Sequence, residues 1–90
     1  MAEKSNFDTS LAAKEKARKS RFQKALGRRV LKIRESKGMR QDTLCIAASL
    51  STGALSKIES GSVSPEAYTL FKLAAVLKVP VATLLDFKCD

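Results

Sequence analysis

The side chains in this chain that can do chemistry are overwhelmingly cations. Seventeen Lys and Arg stand against nine Asp and Glu, a net charge of +8 over 90 residues. There is no His, so the commonest general base and the commonest metal ligand are both missing. The two cysteines, Cys45 and Cys89, cannot complete a structural zinc site, which takes about four nitrogen or sulfur ligands. No catalytic group, metal or cofactor is implied, and the chain is not expected to be an enzyme. What the residues offer instead is binding: an excess of positive charge attracts a polyanion. The plain alternative is that surplus lysine only aids solubility.

The charge is unevenly placed. Residues 1–24 hold seven cations against three acids, and residues 25–64 again hold seven against three, so each stretch carries +4. Residues 65–90 hold three of each and are neutral. A basic two thirds beside a neutral, apolar-rich third suggests one surface for a polyanion and another for packing or a partner. Ninety residues make one small domain, which buries only about two thirds of the surface of its unfolded chain. The cysteines show no framework spacing, the first residues have no apolar stretch of a signal peptide behind them, and no run reaches about 18 apolar residues. A cytoplasmic protein with reduced thiols, away from membranes, is the expectation.

The elements that must position these cations are all helices. Phe22, Leu26, Val30 and Ile33 recur at steps of four, four and three, one face of a helix. Lys37-Gly38 is a suitable end, because Gly takes a left-handed cap without penalty. Leu44 and Ala48 mark a second helix from about Gln41. Leu55 and Ile58 mark a third, with Ser51 placed to cap it and Gly61 to close it. Ser64-Pro65-Glu66 predicts the next start, with a capping hydroxyl and Pro at the first helical position. Leu70, Leu73, Ala74 and Leu77 carry that fourth helix. A last short turn follows Pro80, over Val81 to Leu85. Asp8, Thr9 or Ser10 is a candidate cap for a helix through Leu11 to Lys19, continuous with the Phe22 stripe or frayed for want of apolar residues. No alternation of period two predicts a sheet.

The segment from Arg40 to Gly61 carries the functional signal. Two short helices joined by a tight turn, with apolar positions at Leu44, Ala48, Leu50, Leu55 and Ile58, have the spacing of a helix-turn-helix. Where two such helices cross steeply a small residue is needed, and Cys45 fits as a buried structural group. Here the chain resembles the lambda-repressor-like (Xre/Cro-type) DNA-binding domains. The resemblance runs from about Leu26 to Leu85, through LGRRVLKIRESKGMRQDTL, LSTGALSKIESG and SPEAYTLFKLAAVLKVPVATLL. Gly27, Arg34, Gly38, Gln41, Leu44, Leu55, Ile58, Glu59, Gly61, Pro65, Leu73, Leu77 and Leu84 fall where the pattern has them. The resemblance implies an all-α, compact five-helix domain over residues 22–87, behind a basic extension over residues 1–21.

It also implies roles. The recognition helix is expected from Ser51 or Thr52 to Glu59. Thr52, Gly53, Ser56 and Lys57 at its start become candidate readers of base edges, with Lys57 suited to guanine and Thr52 to a thymine methyl or an acceptor. Gln41 lies where a helix end favours a phosphate, and the matching Gln of the family braces the recognition helix. Arg40, with the loop hydroxyls of Ser60, Ser62 and Ser64, flanks the motif as phosphate contacts, which position without reading sequence. Arg34 and Glu59 are implied to form a structural pair. Family members commonly dimerise through the C-terminal end, so Val81, Leu85 and Phe87 become candidate dimer residues in a segment whose apolar groups, with Phe71 and Val76, exceed what one small core absorbs.

Four positions depart from the pattern. Ser49 stands where the family usually has Gly, and a positive φ there would cost Ser what Gly avoids. Gly53 falls inside the expected recognition helix, at up to about 1 kcal/mol relative to Ala. Ile46 and Leu31 are apolar where polar residues are usual; packing under the N-terminal extension would account for both. The extension itself reads as a basic arm on DNA, as a solubilising tail, or as part of a longer first helix.

Three functions fit. The first is a sequence-specific regulator that binds double-stranded DNA as a homodimer on a near-palindromic operator. The second is a protein-interaction module, such as an antitoxin that holds a partner protein and binds DNA secondarily. The third is a non-specific nucleic-acid coat.

Overall fold

The computed structural model describes residues 2–89, with side chains over residues 10–89. Its elements run α1 (Ala2–Ser36), α2 (Gln41–Ala47), α3 (Ala54–Ser60), α4 (Ala67–Leu77) and α5 (Val81–Leu84), with no strand among the described residues. The all-α, five-helix expectation holds. A 35-residue α1 spans about 52 Å at ~1.5 Å per residue, and the molecule measures 54 × 25 × 18 Å. The first helix is thus one continuous rod, and Asp8, Thr9 and Ser10 lie inside it instead of capping a separate segment.

The core forms where the apolar periodicities meet. Leu26, Val30 and Ile33 of α1 enclose one side, and Leu44 and Cys45 of α2, the C-cap Ala48, and Leu55 and Ile58 of α3 the next. Leu70, Leu73, Ala74 and Leu77 of α4, with Leu84, close it. Phe22 begins the stripe but stays 38% exposed, its ring 5.5 Å from that of Phe87. Cys45 is buried as expected, and its single S–H is shared between the carbonyl oxygens of Leu50 and Ser51, 3.5 and 3.2 Å from Sγ. It satisfies backbone acceptors of the α2–α3 turn.

Several helix ends fall where the residue types place them. Gly38 (φ +67) follows α1, and Gly61 (φ +79) caps α3. Others shift. Ser51 makes no side-chain cap: α3 starts at Ala54, with Gly53 as its N-cap at φ +86. Gly53 is therefore outside the recognition helix, and the helix-interior cost expected of it does not arise; Gly supplies a left-handed turn instead. Likewise α4 starts at Ala67 with Glu66 as N-cap. Pro65 precedes the helix, and the Ser64 hydroxyl accepts from Gln23 Nε2 at 2.8 Å instead of capping. Ser49 does take positive φ, +56.

Candidate nucleic-acid interface

The recognition helix α3 is set against α1 by a close backbone approach. Gly27 is buried, and a Cβ built on it would lie 2.6 Å from the carbonyl oxygen of Glu59 and closer still to that of Ile58. Only a residue without a side chain lets α1 and the last turn of α3 touch in this way.

Glu59, in that turn, gathers donors from the other two elements. Arg34 Nε and Nη2 donate to its two carboxylate oxygens at 2.7 and 3.1 Å. Gln41 Nε2, from the first residue of α2, donates to Oε1 at 2.9 Å. The third Arg34 donor, Nη1, reaches the Met39 carbonyl at 2.8 Å, in the α1–α2 connection. The paired side chains are 11% and 5% exposed. Hydrogen bonding to Glu59 raises the Arg34 pKa further above its ordinary value, with burial opposing it. A bidentate pair in such a place fixes angle as well as distance. Gln41 thus spends one of its two amide N–H donors on bracing α3.

With its inner face fixed, α3 turns its other face outward. Thr52, Gly53, Ser56 and Lys57 are all exposed, at the start and along one side of the helix. Thr52, Gly53 and Ser56 border a shallow groove with Gln41, Asp42 and Ile46 of α2, and Lys57 does not line it. Three of the four expected base readers, Thr52, Gly53 and Ser56, are therefore brought together with Gln41, while Lys57 is exposed one residue further along α3. Arg40 stands at the N-cap of α2, 83% exposed at its side chain, with Nε 3.4 Å from Asp42. Ser60 and Ser62 share a hydroxyl–hydroxyl hydrogen bond of 2.7 Å just past α3, and Ser60 Oγ also donates to the Lys57 carbonyl at 3.0 Å.

Ile46 is a correction. It is 77% exposed on the groove beside Thr52 and Gly53, not packed under the N-terminal extension. Leu31 lies half-buried on another side of the molecule, near Asp86, Phe87 and Lys88 of the C-terminal segment. The candidate dimer residues divide. Val81 and Phe87 are half-buried against the chain's own core, and Leu85 is 43% exposed.

Sequence reasoning missed three supports. Lys72 Nζ donates to the Ser49 carbonyl at 3.4 Å and lies 5.4 Å from the Tyr68 ring centroid, tying α4 to the α2–α3 turn. Tyr68 stacks on Phe71 at 6.1 Å, and both rings are largely exposed. Their spacing of three was visible in the sequence as a shared helix face. Arg29 Nε donates to the Thr83 carbonyl at 2.9 Å, pinning α5 to α1; no sequence pattern signals such a side chain-to-backbone contact across 54 positions.

No helix among the described residues is long and apolar enough to cross a membrane, and none of their His, Cys, Asp or Glu side chains cluster as a metal site. No curated protein matches the chain significantly. A family model described as helix-turn-helix matches residues 30–84. Among solved structures, the chain is similar to the restriction-modification controller protein C.AhdI from Aeromonas hydrophila, with a TM-score of 0.66 and 26% identity over 68% of this chain and 92% of that one. The matched segment spans α2, α3 and the Glu59 cradle, and the chain belongs to the Xre/lambda-repressor-like helix-turn-helix family of DNA-binding transcriptional regulators.

Proposed function

We propose that the chain is a sequence-specific regulator that binds double-stranded DNA as a homodimer on a near-palindromic operator. The observation that carries this is the outward face of α3. Its polar side chains have no packing role, while its inward face is held by three donors on Glu59. A recognition helix must be rigid to read base edges, because a misplaced donor forfeits its hydrogen bond.

In this reading Lys57 donates to guanine, while Thr52 and Ser56 contact neighbouring base edges. The exposed backbone at Gly53, where no side chain intervenes, lies close to the DNA. Arg40, Gln41 and Ser62 take phosphates on either side. The likeness to a restriction-modification controller favours a regulator of the controller type. Exposed Leu85, with Val81 and Phe87 beside it, forms the dimer contact, and the two α3 helices then meet half-sites about 34 Å apart. A second reading, a module that holds a partner protein, has the exposed Tyr68–Phe71 pair in its favour.

Selection of bound sites from a random DNA pool tests both. A regulator returns a two-fold symmetric site held about 10³-fold or more over random duplex. An interaction module returns no enriched site, and a non-specific coat binds the whole pool with a steep salt dependence.

A further inference from the structure

The family match begins at residue 30, yet α1 starts at Ala2. The helix therefore extends well beyond what the helix-turn-helix requires. Over residues 10–24 it carries six cations against Glu15 alone. Every side chain over residues 10–19 is exposed. Arg18 shares Glu15 in a loose pair at 3.4 Å.

The root of this extension is attached to the DNA-facing side of the molecule. Gln23 is hydrogen-bonded to Ser64 at 2.8 Å. Gly61 packs on the backbone of Lys24, where an added Cβ would fall 2.8 Å from its Cα. The loop so anchored, Ser60 to Ser64, leaves the recognition helix directly and holds the hydroxyls assigned above to phosphates. Lys16, Lys19 and Gln23 follow steps of three and four, one face of the helix. Lys16 and Lys19 therefore continue outward the line begun by Gln23 and the loop. From Gln23 to Lys16 is about 10 Å at ~1.5 Å per residue, enough to reach beyond a single phosphate of one strand.

We propose that the N-terminal half of α1 is a second DNA-contacting element, which lies on the phosphate backbone beside the site read by α3, with Lys16 and Lys19 as its principal contacts. The proposal rests on the DNA-binding reading above. A polyanion is the occupant that the charge selects. A second copy of the extension would bring +5 against +5, and the face offers little apolar surface to offset that repulsion.

The test compares the full chain with the K16Q/K19Q variant on its selected duplex and on a random duplex, across a salt series. Each lost phosphate contact lowers the slope of log K against log salt by about 0.9, so a decrease of about 1.8 is expected on both duplexes. The preference for the selected duplex should be unchanged, since phosphate contacts carry no sequence information. A K78Q/K88Q control removes the same charge elsewhere and should leave the slope as it was. An unchanged slope in K16Q/K19Q overturns the proposal, as does an equal change in the control. Loss of self-association in K16Q/K19Q, by sedimentation, with the slope intact would assign the extension to a second copy and also overturn it. Absence of any preferred duplex for the unaltered chain would sink the regulator reading instead, and the slope on random duplex would still decide the role of the extension.

Discussion

The two halves of α1 are one helix in two environments. Residues 26–36 are gripped on several sides: Leu26, Val30 and Ile33 are buried, Gly27 touches the backbone of α3, and Arg34 holds Glu59. Residues 10–19 touch nothing that buries them. The backbone geometry is the same, but what sustains it differs. The inner half is helical because tertiary packing rewards it. The outer half is helical by propagation from that anchor, helped by Ala, Lys, Arg and Glu with high helix propensity. One covalent rod thus supplies both the least deformable part of the recognition cradle and a charged lever attached to it.

That contrast is open to disruption by mutation. The largest effect is expected at Arg34→Ala. Removing one partner of this largely buried pair leaves the Glu59 carboxylate with the Gln41 donor alone and costs up to about 3–5 kcal/mol, measured by urea unfolding. A loss below about 1 kcal/mol would mean that the cradle is held by packing alone. Gly27→Ala comes next. The added methyl meets two carbonyl oxygens of α3, and overpacking of this kind costs about 1–3 kcal/mol. Because the clash is backbone against methyl, α3 must tilt, so DNA affinity should fall even where the variant remains folded. Unchanged affinity would show that the angle of α3 is not set at Gly27.

Ser49→Gly works in the opposite direction. A non-Gly residue at positive φ costs about 1–2 kcal/mol, and Gly returns about 0.4–1 kcal/mol of that through the entropy of the unfolded chain. A net gain of about 0.5–1 kcal/mol in urea unfolding is expected, and a loss would mean that the Lys72 contact depends on the Ser49 conformation. The smallest effect should come from Ala17→Gly. In the outer half it lowers helicity by circular dichroism, while the global unfolding free energy stays within about 0.5 kcal/mol of the parent. A fall as large as that at Gly27 would show that the two halves of α1 unfold as one unit, and the comparison would fail.

Legibility followed the range of the interactions. The ends at Gly38 and Gly61 and the start at Gln41 depend on local backbone chemistry, and the residue types announced them. So did the buried role of Cys45. The Arg34–Glu59 pair was expected because the resemblance placed both residues. Ser51-Thr52 looks like a helix start and so predicts Gly53 inside the helix, where the structure has it as the N-cap. The turn instead closes through a backbone hydrogen bond from Ala54 N–H to the Ser51 carbonyl, 3.0 Å. Ser64-Pro65-Glu66 predicts a capping hydroxyl, but the partner of Ser64 is Gln23, 41 positions away. Ile46 was expected under the extension, but α1 leaves the core in a direction that periodicity does not encode.

By itself, then, the sequence determined the all-helical class, the apolar faces that meet in the core, and the layout of charge along the chain. These follow from local propensity and from the period of 3.6, which each segment carries within itself. The resemblance implied that Gln41 braces the recognition helix; tertiary structure decided that its partner there is Glu59, that Lys72 reaches the turn at Ser49, and that the basic extension is anchored beside the loop leaving the recognition helix. Those contacts join residues 18, 23 and 41 positions apart. Their geometry depends on how the helices cross once their apolar faces have been buried.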